Sequence, residues 1–96
     1  MPRFYFDIRQ GERFFPDREG LNLPDLASAE SEAASAAAAI GSDLLPSGAA
    51  EQVTVELRGE SGQPLAAVTV SMSLTRFPPE GSIGAPDART PLYAEQ

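Results

Sequence analysis

Asp17, Glu19 and Asp25 lie close together in the sequence and with loop carbonyls could hold a hard divalent cation such as calcium or magnesium. Their spacing is not that of a calcium loop, and Asp25, placed just ahead of Leu26 and an alanine-rich run, is better used as a helix N-cap. Asp7 and Glu56 are a second carboxylate pair, which on facing strands could divide the acid and base roles of glycoside hydrolysis. That chemistry needs a cleft to raise one of the two pKa values, and a flat solvated sheet provides none. Ser28, Ser31, Ser35 and Ser42 could act as nucleophiles only beside an activating base.

Such a base is missing from the composition. The chain has no histidine, no cysteine, no lysine and no tryptophan. A base titrating near neutrality, a thiolate, a Schiff-base amine and the imidazole or thiolate ligands of a transition metal are therefore all excluded. Gly59-Glu60-Ser61-Gly62 reads as a hairpin turn, because a phosphate loop needs a lysine and a strand-to-helix setting. Tyr5, Arg9 and Arg58 could line an aromatic and basic strip for single-stranded nucleic acid. Asp7 and Glu56 share that face, so a cross-strand ladder of opposite charges is expected instead. No catalytic residue, cofactor or metal is assigned, and the chain is read as a non-enzyme.

Charge points the same way. Acids number 14 against 7 bases, all arginine, for a net charge of -7, which repels phosphate backbones and anionic lipid surfaces. Neither nucleic acid nor membrane is expected as a partner. Between residues 21 and 52 the acids Asp25, Glu30, Glu32, Asp43 and Glu51 occur with no base, either as a solvated helix flank or as an acidic surface for a basic partner. A mean hydropathy of -0.20 suits a soluble domain, with no apolar run near the ~20 residues that span a bilayer. The opening Met1 to Asp7 meets an acid before an apolar leader core can form, so a cytoplasmic location is expected. The absence of cysteine leaves packing or association to provide stability.

The elements that must place these groups follow from periodicity. Phe4, Phe6 and Ile8 alternate with Arg3, Tyr5, Asp7 and Arg9, as in a strand with one wet face. Arg13-Phe14-Phe15 resumes after Gly11 and completes a hairpin, then Asp17 to Gly20 forms a turn in which Gly20 can take a positive φ. Asp25 caps a helix that runs to about Leu45. Leu26, Ala33, Ala37 and Leu44 lie on its buried stripe with Ile40 and Ala29 beside them, and the serines lie opposite. That stripe is so slim that the phenylalanines of the first hairpin are expected to supply the bulk beneath it. Val53, Val55 and Leu57, then Ala66, Val68, Val70, Met72 and Leu74, form a second hairpin. The result is an α+β domain over residues 1–74, of order β-β-α-β-β: a four-stranded, mostly antiparallel sheet with one helix packed on one face.

Residues 75–96 are rich in proline and glycine, a flexible or partner-bound tail. Phe77, Ile83, Leu92 and Tyr93 are its candidate partner contacts.

Met1-Pro2-Arg3-Phe4-Tyr5-Phe6, Glu19-Gly20 and Leu23-Pro24-Asp25-Leu26 at this separation resemble a family of short bacterial proteins classed only as a domain of unknown function. The resemblance covers residues 1 to about 74. It implies the same hairpin, helix, hairpin layout, and brings no activity, cofactor or site residue with it. The unusually alanine-rich helix and the extension beyond Leu74 depart from the family pattern.

The functional expectation is a small non-enzymatic cytoplasmic interaction domain, binding a protein partner or itself as a homo-oligomer. An edge strand, or the alanine surface of Ala34 and Ala38, would serve for self-association. Two alternatives remain: an acidic inhibitor or antitoxin-like protein in a basic groove, and a weak divalent-cation binder through Asp17, Glu19 and Asp25.

Overall fold

Alternating apolar residues build the first strand, β1 (Arg3–Gln10), whose Phe4, Phe6 and Ile8 point to one side. The computed structural model describes residues 1–78. Gly11, with φ +62, turns the chain into β2 (Arg13–Phe15), which pairs antiparallel with β1 from Ile8 to Gln10. A loop through Asp17 and Gly20 leads into the two-residue β3 (Leu21–Asn22), which pairs with Arg3 and Phe4. This strand was not expected. Leu21-Asn22-Leu23 is extended ahead of Pro24 as the proline rule requires, and the extended segment falls back onto β1.

Asp25 begins the helix α1 (Leu26–Leu44) as expected, its carboxylate accepting from the Ser28 amide at 2.8 Å. The second hairpin consists of β4 (Gln52–Arg58) and β5 (Pro64–Ser71). The sheet order is β2-β1-β4-β5, with β3 on the same side of β1 as β2, and every pairing is antiparallel. The α+β architecture with one helix on one sheet face is the one the periodicity predicted, enlarged by β3.

α1 lies over β4 and β5. Ala29, Ala33 and Ala37 are fully buried against Phe4, Val55 and Leu57, with Phe6, Ile8, Val68 and Val70 packed around them. Gly41 takes the fourth step of the same stripe: a Cβ there would stand 2.7 Å from a Val70 methyl. Bulk on the sheet and almost none on the helix brings the two layers close together.

Three expectations need correction. Leu26 does not join the buried stripe: it is the first residue of α1 and 41% exposed, and the stripe starts a turn later at Ala29. Phe14 and Phe15 do not fill the space under the helix. They sit on β2, outside the helix footprint, 43% and 40% exposed, with Arg9 and Arg13 stacked over their rings at 4.5 and 5.3 Å. β5 ends at Ser71, so Met72 and Leu74 lie beyond the sheet and are exposed.

Candidate functional site

The acids singled out from sequence meet on the sheet face that α1 leaves uncovered. In the β1–β4 register Asp7 stands directly opposite Glu56, and Tyr5 opposite Arg58. Like charges placed face to face destabilise a sheet, and two diagonal ion pairs relieve this one. Arg58 donates to both Asp7 carboxylate oxygens, Nε at 2.7 Å and Nη2 at 3.1 Å, while Arg9 pairs with Glu56 at 3.1 Å. The Arg58 guanidinium also lies 4.9 Å from the centre of the Tyr5 ring. The expected Arg and Glu ladder is present. Thr54 and Thr69 extend it onto β5 with a hydroxyl contact of 2.8 Å.

Periodicity places Asp7 on a wet face, yet it is only 4% exposed. The cause is the loop between β2 and β3. β2 reaches along β1 only as far as Ile8 and β3 only as far as Phe4, which leaves the intervening edge of β1 without a strand. Asp17 fills the gap. Its Oδ2 accepts the Phe6 amide at 3.1 Å, and its Oδ1 accepts the Glu19 and Gly20 amides at 3.0 and 3.1 Å, an Asx-type turn closed on itself. The Asp17 amide donates to Asp7 Oδ1 at 2.9 Å, and Arg58 Nη2 reaches the Asp17 carbonyl at 3.1 Å. Arg3 donates to the Glu19 carbonyl. Gly20, at φ +72, lets the loop lie flat, since a Cβ would meet the Phe4 carbonyl and the Tyr5 ring at 2.9 Å.

These contacts set the electrostatics. The Arg58 guanidinium holds the Asp7 carboxyl below its ordinary range, against the opposing effect of burial, with the Asp17 amide adding to it. Burial pushes Asp17 up, but the amides of Phe6, Glu19 and Gly20 together outweigh burial and its net shift is downward. Both acids therefore stay ionised at neutral pH, unsuited to serve as general acids. Because both pKa values are lowered on folding, the stability they contribute is present above the unfolded carboxyl value and is lost as pH falls below about 4. Thermal melts across acid pH should show the midpoint level at neutral pH and dropping below about 4, with a smaller drop in Asp7→Asn.

Beside Asp7 and Arg58 lies an open depression of about 650 Å³, lined also by Glu56, Leu57, Pro64, Leu65, Ala66 and Ala67. Its charged groups are committed, Arg58 to Asp7 and Glu56 to Arg9. The cation candidates do not converge. Asp17 has its carboxylate oxygens turned to backbone amides, Asp25 caps α1, and among the described residues no three acids are grouped to hold a metal. Ser31, Ser35 and Ser42 are exposed along the helix and Ser28 half-buried at its start. Of the candidate partner contacts, Phe77 is 65% exposed; Ile83, Leu92 and Tyr93 lie outside the described residues. Sequence reasoning missed the tie between Asp7 and Asp17. The signals were an acid opposite an acid on adjacent strands, and the Asp-x-x-Gly spacing of Asp17 and Gly20.

What fold and site define together is a two-layer α+β domain whose open-face charges are bound to one another as a structural fastener. The chain belongs to the family described as Domain of unknown function (DUF6894), whose model matches residues 3–71. No curated protein and no solved structure matches it. No helix among the described residues is long and apolar enough to cross a membrane.

Proposed function

We propose that this is a small non-enzymatic cytoplasmic domain that works by contact with protein, either a partner or its own copy. One observation carries the reading. The charged groups of the open face are paired within the chain, while the uncovered ground along and beyond β5 carries no charge from Ser61 to Thr75 and leaves Leu65, Met72, Leu74 and Phe77 between 37% and 75% exposed. Scattered exposed apolar side chains are ordinary, but an uncharged edge strand with exposed apolar side chains at both of its ends marks a surface for another chain. The net charge of -7 supports a protein partner over a nucleic acid or an anionic membrane.

A second reading draws on α1, whose outer surface exposes Glu30, Glu32 and Asp43, with no base in its last turn. It is the acidic inhibitor, held in a basic groove. Salt separates the two, because a charge-driven complex weakens steeply as ionic strength rises and an apolar one does not.

The experiment is affinity capture from native lysate with the full chain and with a chain ending at Leu74, washed at low and high salt. The contact reading expects capture of a protein, or of the chain itself, that survives high salt. Loss on truncation assigns the contact to the segment after Leu74. No retained protein with either chain, and no self-association, would end this reading.

A further inference from the structure

The sheet ends on one side at β5, and no strand among the described residues pairs with its outer edge. Edge strands are normally guarded by lysine, inward-pointing charge, proline or a bulge. In β5 the proline is Pro64, the first residue, and the irregularity lies at the same end, where Leu65 is passed over between the Arg58 and Leu57 pairings. From Ala66 to Ser71 the ladder is regular. No charged residue occurs between Ser61 and Thr75. The opposite edge differs: it is divided between β2 and β3, carries Arg13, and is filled at its centre by the Asp17 loop.

We infer that β5 is a dimerisation edge, pairing antiparallel with β5 of a second copy of this chain about a two-fold axis near Val68. The two sheets become one, with both helices on the same face. The inference rests on the contact reading above and names its partner. Three observations select a second copy. First, each copy carries a charge of -7, so like molecules repel over most approaches, and a neutral edge is where they can meet. Second, an antiparallel strand pair is self-complementary, as a two-fold contact requires. Pairing about Val68 sets Leu65 opposite Ser71 and Met72 opposite Pro64 of the second copy, covering apolar side chains that are 37% and 51% exposed in the single chain.

The third concerns helix spacing. α1 lies over β4 and β5. With strands about 4.8 Å apart, a helix midway between them sits about 5 Å from the axis and about 10 Å from its symmetry mate. Packed helices lie roughly 8 to 10 Å apart. That approach needs a flank of small side chains, and the flank above the β5 edge has them. Ala38, Gly41 and Ser42 border a groove of about 260 Å³ with Val70 and Met72, and exposed Ala34 stands one turn earlier.

The test is the mass of the full chain in solution as a function of concentration, for the native sequence and for Ala67→Lys/Ser71→Lys. Both positions are exposed on the open face, and Ala67 faces Glu56 across the ladder, so the fold accepts lysine there, as circular dichroism and melting will show. The expected result is a dimer whose association weakens at least tenfold in the variant. Should that variant misfold, Val68→Cys provides the second readout in a chain without native cysteine. On oxidation it should cross-link, and Ser71→Cys, roughly 20 Å from its mate in this register, should not.

A chain that stays monomeric at every concentration yet captures a different protein overturns the inference and leaves the contact reading standing. So does a dimer that is indifferent to the lysines, or one that cross-links through Ser71→Cys and not Val68→Cys. A monomer that captures nothing overturns both.

Discussion

Replacing Asp7 by alanine should lower the unfolding free energy by about 3 kcal/mol, the range for breaking a buried, hydrogen-bonded ion pair from one side. The carboxylate is 4% exposed and accepts three hydrogen bonds, two from Arg58 and one from the Asp17 amide. All three donors lose their acceptor at once. A domain of this size holds roughly 4 to 12 kcal/mol in total, and 1 kcal/mol moves the midpoint of so small a domain by roughly 4 to 8 °C, so the melting temperature should fall by about 15 °C. Arg58→Met breaks the same pair from the other side. The two losses should not add in the double variant, because the groups act on each other. Additive losses would mean that Asp7 and Arg58 stabilise the fold separately, and the fastener would be misdescribed.

Phe4→Ala should be still more damaging, about 4 kcal/mol, the usual range for emptying a buried aromatic site. Phe4 is 5% exposed between Ala29 and Leu57. The helix above it presents only methyl groups, so closing the space falls to Phe6, Leu23 and Leu57, which are already packed in the same cluster. The contact also predicts a rescue. Ala29→Leu alone should destabilise by overpacking, whereas Phe4→Ala/Ala29→Leu should recover part of both losses because the added volume lies next to the vacated one. Denaturant titrations of the four chains decide the matter, and a double variant no better than Phe4→Ala alone would contradict the assignment of bulk to the sheet.

Much of this fold can be read from residue order, because its local rules agree with one another. Asp25 ahead of an alanine run, Gly11 and Gly20 at the turns and two alternating hairpins specify the same layout that packing selects. What escaped the sequence was decided by contacts between distant segments. Period two correctly assigns Asp7 to the face away from the helix, but that face is covered at this point by a loop whose path depends on Asp17 taking the place of a missing strand. Phe14 and Phe15 have the hydrophobicity of core residues; their exposure follows from α1 lying over β4 and β5, a lateral choice that no pattern within the helix encodes. The unguarded edge of β5 was legible as a charge-free run from Ser61 to Thr75, although only the strand order shows that this run is an edge.

Amide hydrogen exchange on the full chain at low and high protein concentration reaches the central claim most directly, since it reports the outer edge of β5 residue by residue. Raising the concentration should slow exchange at those β5 amides between Ala66 and Ser71 that point away from β4, and should leave β2 and the outer surface of α1 unchanged. Exchange along β5 that is independent of concentration, or slowing confined to β2 or to the acidic face of the helix, would contradict the claim that this domain meets its own copy through β5.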